Sequence, residues 1–444
     1  MTDLFAARTI MAVSLGFHIL FAVAGMAMPS LMVASTLLHQ RTGHDHWREL
    51  AHRWAKGTAI LFAVGAVSGT VLSFELGLLW PHFMAKFGPL IGLPFTLEGF
   101  AFFFEGIFLG VLLYGGARLS ERAHVFTGVV VALSGIVGGA LVLAVNGFMN
   151  TPRGFRVDES GALVDVDPIA AMLNPAFASE AFHMIVAAYA AVSVLVLGVH
   201  AWLHRRRPSA LHAAAVRLTL GFALVAVPLL LFSGDRAAKH VAAHQPQKLA
   251  AAEALFHTTT GAGLTVGGLP DVDARTVSLG FEIPFALSIL SFGDPRAEVK
   301  GLDAFPEETW PPVVVTHLAF QLMVGCGMAM LALIALGALA WWRRRAPEED
   351  PLFVRVAPFV APLGLVGIEA GWTVTEVGRQ PFIVQGVMRV DEALTPVGGL
   401  AVHLVGFVSL YLALGVVVVV LLRRHLLASG EGASSSEAPG GTST

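Results

Sequence analysis

Charge is scarce in this 444-residue chain: only 13% of its residues are Asp, Glu, Lys or Arg, against about 25% in ordinary soluble domains. So few charges cannot clothe a water-facing surface, whereas a hydrophobic share of 55% suits hydrocarbon. Cysteine is nearly absent as well. The single Cys326 lies in an apolar run, which excludes a disulfide framework, a cysteine-ligated iron–sulfur cluster and a CxxCH heme attachment. Any heme here must be held non-covalently, by His, Met or carboxylate. The net charge of −3 shows no basic excess, so nothing points to a nucleic-acid partner.

What the chain has is long apolar runs. Nine are long enough to cross a hydrocarbon core of about 30 Å, which takes roughly 20 helical residues. They lie near 9–38, 54–79, 94–117, 124–148, 178–203, 214–233, 312–342, 353–377 and 396–422. Helix is the reading that satisfies a lone span's backbone, and no alternation suggests a barrel. The first run is too long for a signal-peptide core and is expected to stay as a spanning helix. Basic residues cluster in alternate short segments: Arg41, Arg48, Arg53 and Lys56; Arg118 and Arg122; Arg205, Arg206, Arg207 and Arg217; Arg343, Arg344, Arg345 and Arg355; Arg423 and Arg424. These hold more than half of the 28 Lys and Arg residues. The positive-inside rule then sets the N-terminus outside (periplasmic) and the C-terminus in the cytoplasm. The expected fold is an all-α polytopic membrane domain over residues 1–427, with two four-helix bundles and a peripheral ninth helix. Two outward loops stand out, 149–177 and 234–311. The second is far longer than a connection needs and contains a helix-like stretch, Gln245 to Phe256, so it is expected to be an ordered lid. The Ser/Gly-rich residues 428–444 read as a disordered tail. No internal repeat is evident.

Ionisable groups within spans cost roughly 2.5–3.5 kcal/mol or more at the bilayer centre, so each is a functional candidate. They are His18, Glu75, Glu98, Glu105, His183, His317, Glu369, Glu376 and His403. On the orientation above, most of them fall in the outer half of the bilayer, beneath the long loop. Glu98 and Glu105 are seven residues apart and share one face of their helix, as do Glu369 and Glu376. Such inward carboxylates can ligate iron, pass protons, or do both. No span carries the two histidines 13–14 apart that a four-helix cytochrome b needs; His39 and His52 have the spacing but lie in a loop. The adjacent histidines and His–Tyr site of heme–copper oxidases are missing too, since there is no His-His dipeptide and there are only three tyrosines. Single histidines on separate helices imply mixed ligands for any heme. Met323 is the natural sulfur partner for His183, although a lone methionine on an apolar helix is usually core filler. Two other classes stay open on the residues alone. One is a proton-coupled secondary transporter, which would show broken helices or inverted repeats and bind no metal. The other is a heme-b quinone reductase without oxygen chemistry.

The run GWTVTEVGRQP, Gly371 to Pro381, resembles the signature of subunit I of the cytochrome bd-type quinol oxidases. Six further segments agree in the same order: GFHILFA around His18, LEGFAFFFEGIFLG around Glu98 and Glu105, NGFMNTPRG after the fourth helix, EAFHMIVAAY around His183, QPQKLAAAEALF in the long loop, and FQLMVGCGM around Met323. The resemblance covers residues 9 to about 420. It implies a quinol:oxygen oxidoreductase of the bacterial cytoplasmic (inner) membrane, oxidising ubiquinol or menaquinol and reducing O2.

Residue by residue, the resemblance implies His183 and Met323 as axial ligands of a low-spin heme b558. His18 would ligate the active-site heme d, or a third heme b, with Glu98 on its other face. Glu376 would ligate a high-spin heme b595, with Trp372 packed between the hemes; Arg379 is either a snorkelling interfacial anchor or a bridge between heme propionates. Glu105, helped by Asn146, would carry protons inward. Lys248 and Glu253 would form the quinol-binding pair of the outer loop. A second subunit is implied as partner, because the proton path is incomplete in one chain, together with a small single-helix accessory subunit. The chain departs from the pattern at Gln321, where a basic residue is familiar two positions before the heme methionine, and at Phe382, where Trp is familiar. The loop is of the short type and resembles the cyanide-insensitive branch.

Overall fold

The computed structural model describes residues 2–115 and 118–431, with side chains described as far as Arg424. Among the described residues, nine helices are long and apolar enough to cross a membrane. The first four are α1 (Asp3–Thr42), α2 (Asp45–Leu79), α3 (Pro81–Gly115) and α4 (Glu121–Asn150). A small hairpin, β1 (Arg156–Val157) with β2 (Leu163–Val164), and the short α5 (Pro168–Met172) lead to α6 (Phe177–Arg206) and α7 (Ala210–His244). The long loop holds α8 (Pro246–Glu253), β3 (Thr259–Thr260), the hairpin β4 (Leu264–Asp271) and β5 (Thr276–Ile283), α9 (Ala286–Phe292), and β6 (Glu298–Val299), which pairs with β3. Then come α10 (Val313–Trp342) and one span in two pieces, α11 (Pro351–Val360) and α12 (Leu363–Val377). The hairpin β7 (Phe382–Val384) with β8 (Met388–Arg389) and α13 (Val390–Ala393) precede α14 (Leu400–Glu431).

Side-chain caps start several helices by accepting from otherwise orphaned backbone N–H groups. Thr2 accepts from Phe5, Ser120 from Ala123, Ser209 from His212, and Asp350 from Leu352 and Phe353. Gly43 closes α1 at φ 69°, with its N–H on the His39 carbonyl.

Most helices outrun their apolar cores. At about 1.5 Å per residue, 30 to 40 residues span roughly 45–60 Å, well beyond the hydrocarbon. α3 begins at Pro81 and not near the expected 94, and α7 continues from the expected end at 233 to His244. Its extra turns are polar but helix-compatible, with Lys239 on Asp235 at 2.6 Å, four residues apart. The helix stops at Gln245 because Pro246 follows, and a residue before proline is pushed out of the helical region. The long loop therefore begins near 245 and not at 234. Likewise α14 runs through Glu431, so residues 428–431, expected in the tail, are helical, and residues 432–444 lie outside the described residues.

The eighth span is not the unbroken helix that the apolar run suggested. It is interrupted at residues 361–362, where Pro362 has no N–H to give to the preceding turn.

α1 packs on α2 and α4, and α3 on α4; α6 packs on α7, α11 and α12, and α10 on α12 and α7. α1 joins the two sets through α6 and α12, while α14 lies against α1 and α2. Small residues allow the close approaches, as between spanning helices generally. A Cβ on Gly364 of α12 would lie 2.6 Å from the Ala191 Cα of α6. On the face where α1 begins, the long loop forms its own packed layer. There Ala250, Ala251, Phe256, Leu302 and Val313 are buried together. His317 of α10 sits between the carbonyls of Ala252 (2.9 Å) and Gly267 (3.0 Å). One turn on, Gln321 donates to the Thr265 carbonyl at 2.8 Å and accepts from Gly267 N–H at 3.0 Å.

Gly364→Val should force α6 and α12 apart, costing about 1–3 kcal/mol as overpacking does. A lower unfolding temperature in detergent checks this. Gly221→Ala, where a new Cβ meets nothing within 4 Å, should leave that temperature unchanged.

Candidate functional site

A cavity of about 770 Å³ opens among α1–α4, α6 and α12. Small-molecule and cofactor sites run to roughly 300–1,000 Å³, so it is large enough for a bulky prosthetic group. Its lining includes His18, Glu98, Glu105, Asn146, Trp372, Glu376 and Arg379. Six of these residues come from four helices and Arg379 follows the end of α12, so positions up to 361 apart in sequence line one cavity. His183 and Met323 are not among the lining residues; they lie on α6 and α10, in the other set of helices. Met323 of α10 packs on α12, where a Cβ on Gly371 would lie 3.1 Å from Sδ. His183 of α6 packs on α7, where a Cβ on Gly234 would lie 3.5 Å from its Cε1.

Both histidines are oriented by the same device. Ser68 donates its hydroxyl proton to the Gly65 carbonyl at 3.1 Å, and its oxygen stands 3.0 Å from His18 Nδ1. A hydroxyl has one proton, so here it must accept from Nδ1–H, which leaves the Nε2 lone pair for a ligand. Ser233 repeats this: it donates to the Leu230 carbonyl at 2.9 Å and stands 2.9 Å from His183 Nδ1. Fixing the distal ring nitrogen in this way is how metal-ligating imidazoles are held. Packing adds to it at His18, where a Cβ on Gly69 would lie 2.8 Å from Cε1. Sequence reasoning missed both serines; no spacing rule connects residues 50 positions apart.

The polar end of the cavity is a continuous hydrogen-bonded chain. Arg379 donates to Glu376 Oε2 at 2.6 Å, and the Asn146 amide donates to Glu376 Oε1. Asn146 was expected to assist Glu105, yet its amide serves Glu376. Asn150, one turn along α4, donates to Asn146 Oδ1 at 2.9 Å and accepts from Lys248 Nζ at 2.6 Å. Arg379 is 3% exposed, yet its Nε and Nη1 are buried without a partner, as is the Trp372 indole N–H. A buried guanidinium with two idle donors is costly unless an anion meets it. That vacancy in the hydrogen bonding suits a carboxylate-bearing macrocycle such as heme, and the imidazole, thioether and carboxylate groups nearby suit its iron.

Lys248 and Glu253 of α8 are both buried, at 6% and 4% exposed, but they are not joined to each other. Lys248 reaches inward to Asn150. Burial draws its ammonium below the usual lysine range, against the pull of the Glu180 and Glu376 carboxylates. Glu253 has no hydrogen-bond partner for Oε2, and burial pushes its carboxyl up to about 8.

The other candidates lie elsewhere. Glu75 accepts from Ser14 of α1 at 2.7 Å. The Glu369 carboxylate faces Gly16 of α1, and His403 is exposed on α14. His317 and Gln321 fasten the long loop, so the departure at Gln321 serves loop docking. Phe382 opens β7 under the Arg389 guanidinium.

The family model for cytochrome bd terminal oxidase subunit I matches residues 6–429. The chain belongs to that family. A protein of Bacillus subtilis (strain 168) whose name assigns it to the cytochrome bd menaquinol oxidases as subunit I is 34% identical over 435 residues, 96% of this chain and 98% of its own. The cytochrome bd ubiquinol oxidase subunit 1 of the same organism is 29% identical over 99% of this chain and 97% of its own. The solved structure of bd oxidase from Geobacillus thermodenitrificans superposes with a TM-score of 0.90 at 35% identity, covering 96% of this chain and 99% of that one. The resemblance read from GRQP and its companion motifs is therefore correct at the level of the family, and the nine-helix fold with it.

Two outcomes follow for this bd-family site. Ser68→Ala and Ser233→Ala should each loosen one imidazole, weakening ligation roughly 10–100-fold as lost outer-shell partners do. Substoichiometric heme, in a different optical component for each variant, is the readout. The second concerns Glu253. The folded chain holds its proton up to about pH 8, whereas an unfolded Glu lets go near 4.3. The contribution to loop stability is thus full below the unfolded value and is lost as pH rises through about 8, at roughly 1.4 kcal/mol per pH unit across that window. Limited proteolysis of the loop should accelerate over that range, and Glu253→Gln should flatten the dependence.

Proposed function

We propose that this chain is the heme-bearing subunit of a terminal respiratory oxidase that oxidises quinol at the periplasmic face and reduces O2 to water with cytoplasmic protons. The observation that carries this reading is the convergence of His18, Glu98, Glu376, Trp372 and Arg379 on one cavity, with the His18 ring held by Ser68 so that Nε2 is the ligating nitrogen. In this reading His183 and Met323 hold the low-spin heme b558. Glu376 would hold the high-spin heme b595, and His18 and Glu98 would hold heme d or a third heme b. When bound, these groups supply the electron path and the iron at which oxygen is reduced.

The chain's own residues do the rest. Arg379 has two idle donors for propionate oxygens, and Asn146 and Arg379 orient the Glu376 carboxylate. Glu105, buried on the face of α3 it shares with Glu98, passes protons toward the cavity. The long loop, fastened by His317 and Gln321, keeps Lys248 and Glu253 out of bulk water where quinol docks. Helices α1–α4 form one four-helix unit and α6, α7, α10 and the α11–α12 span the other, with α14 peripheral.

The N-terminus faces the periplasm by the positive-inside argument, and the protein resides in the bacterial cytoplasmic membrane. Quinol protons leave on the outer side while protons for water enter from the cytoplasm, so proton motive force arises without a pump. Subunit II completes the proton entry, and a small single-helix subunit joins the assembly.

Optical spectra of the purified complex, oxidised and dithionite-reduced, test this directly. Heme bands are expected, with oxygen uptake driven by reduced quinol. His183→Ala should remove the low-spin component and His18→Ala the oxygen chemistry. A colourless preparation would sink the reading in favour of a transporter, and hemes without oxygen uptake would leave a quinone reductase.

A further inference from the structure

Beneath α8, four charged side chains share one interior. Lys248 and Arg379 are the cations, and Glu376 and Glu180 the carboxylates. Nothing in the sequence pattern had singled out Glu180. It lies in the first turn of α6, one turn before His183, and is half-buried as a residue, but its Oε2 is buried and without a hydrogen-bond partner. Oε1 meets the Asn150 amide at 3.5 Å, and a Cβ on Gly147 would lie 3.3 Å from Oε2, so the carboxylate is wedged against α4. It interacts electrostatically with Lys248, Arg379 and Glu376. Asn150 is the hub, since its carbonyl oxygen takes Lys248 Nζ at 2.6 Å and its amide serves both Asn146 and Glu180.

The charge count decides what Glu180 does. Two buried cations need two anions, and uncompensated buried charge is strongly destabilising. If Glu376 gives an oxygen to iron and propionates meet the idle Arg379 donors, Glu180 is the carboxylate left to balance Lys248. We propose that Glu180, positioned through Asn150, is the charge-balancing residue of this cluster, holding the Lys248 ammonium inward and lowering the potential felt by the adjacent heme sites. It is a positioning residue, acting through Lys248 and through its field. This rests on the reading above that hemes occupy the cavity.

The sign follows from electrostatics. A carboxylate favours the more positive, oxidised iron, and in a low-dielectric interior its influence is large. Glu180→Gln removes that influence, so redox titration of the purified complex, followed by heme absorbance, should show midpoint potentials shifted upward. The KM for quinol should rise several-fold while kcat changes less, because Lys248 has lost its restraint. Glu180→Asp, which keeps the charge, should return both toward wild type. If Glu180→Gln fails to retain heme, Asn150→Asp, which adds a negative charge beside Lys248, should shift the potentials downward. Fully loaded Glu180→Gln with unchanged potentials overturns the proposal, as does Asn150→Asp that loses heme or leaves the potentials where they were. Absence of heme from the wild-type complex would instead overturn the proposed function.

Discussion

A serine hydroxyl has one proton to give, and at Ser68 and Ser233 it goes to the carbonyl three residues back in the same helix. The oxygen is then committed to accepting, and the imidazole beside it must present Nδ1–H. Ring rotation and tautomer are settled together, and the Nε2 lone pair is left available in both His18 and His183. The remainder of the architecture follows from needing those two rings steady. α2 must lie close enough to α1, and α7 close enough to α6, for a hydroxyl to reach a ring across the gap. At Gly69 the missing side chain makes that closeness possible, whereas a Cβ on Gly234 would meet the His183 ring in ordinary contact at 3.5 Å. A side chain at Gly69 would collide with the imidazole and lift the serine out of reach.

The same economy governs charge. Hydrocarbon offers no water to a stray donor, so the polar groups are gathered into one connected chain running from Lys248 through Asn150 and Asn146 to Glu376 and Arg379. Each link satisfies the next, except where donors are left idle on the cavity side, at Arg379 and Trp372. Those idle donors are informative because the Glu376 carboxylate and the Asn146 and Asn150 amides beside them are paired. The loop is the lid on this arrangement. It brings Lys248 into the chain from above, and it is itself fastened to α10, the helix that carries Met323, by His317 and Gln321.

The nine spans and the cluster of costly groups on one face were legible from composition and hydropathy, because burying charge in lipid is expensive enough to leave few exceptions. The ends of helices were not. Polar turns such as those at the end of α7 are held by local ion pairing and stopped by a proline, neither of which hydropathy registers. The break at Pro362 was hidden by an apolar run that continues through it. The motif resemblance selected His18, Glu98, Glu376 and Arg379, which do share a cavity. It paired Asn146 with Glu105, and the structure gives its amide to Glu376 instead. Ser68, Ser233, Asn150 and Glu180 escaped notice since each acts across helices distant in sequence, and a single sequence carries no trace of such a contact.

α12 stands between Met323 and the cavity of His18 and Glu376. Gly371 lies against the Met323 sulfur, and the next residue, Trp372, lines the cavity of His18 and Glu376. Consecutive residues on a helix point about 100° apart, so one helix faces both the Met323 sulfur and the cavity. The separation between them is then set by a single helix, roughly 10 Å across with its side chains, and not by the relative placement of two bundles. That arrangement constrains α12 on every side. Gly364 must meet Ala191 of α6, Glu369 must meet Gly16 of α1, Gly371 must leave room for a sulfur, and Glu376 must reach Asn146 of α4. A straight helix continuing from α11 would have to satisfy all four contacts while also keeping α11 on α6. The break at Pro362 releases α12 from that requirement, letting it take the direction its contacts demand. The interruption that a transporter would use for motion serves here to fix a partition.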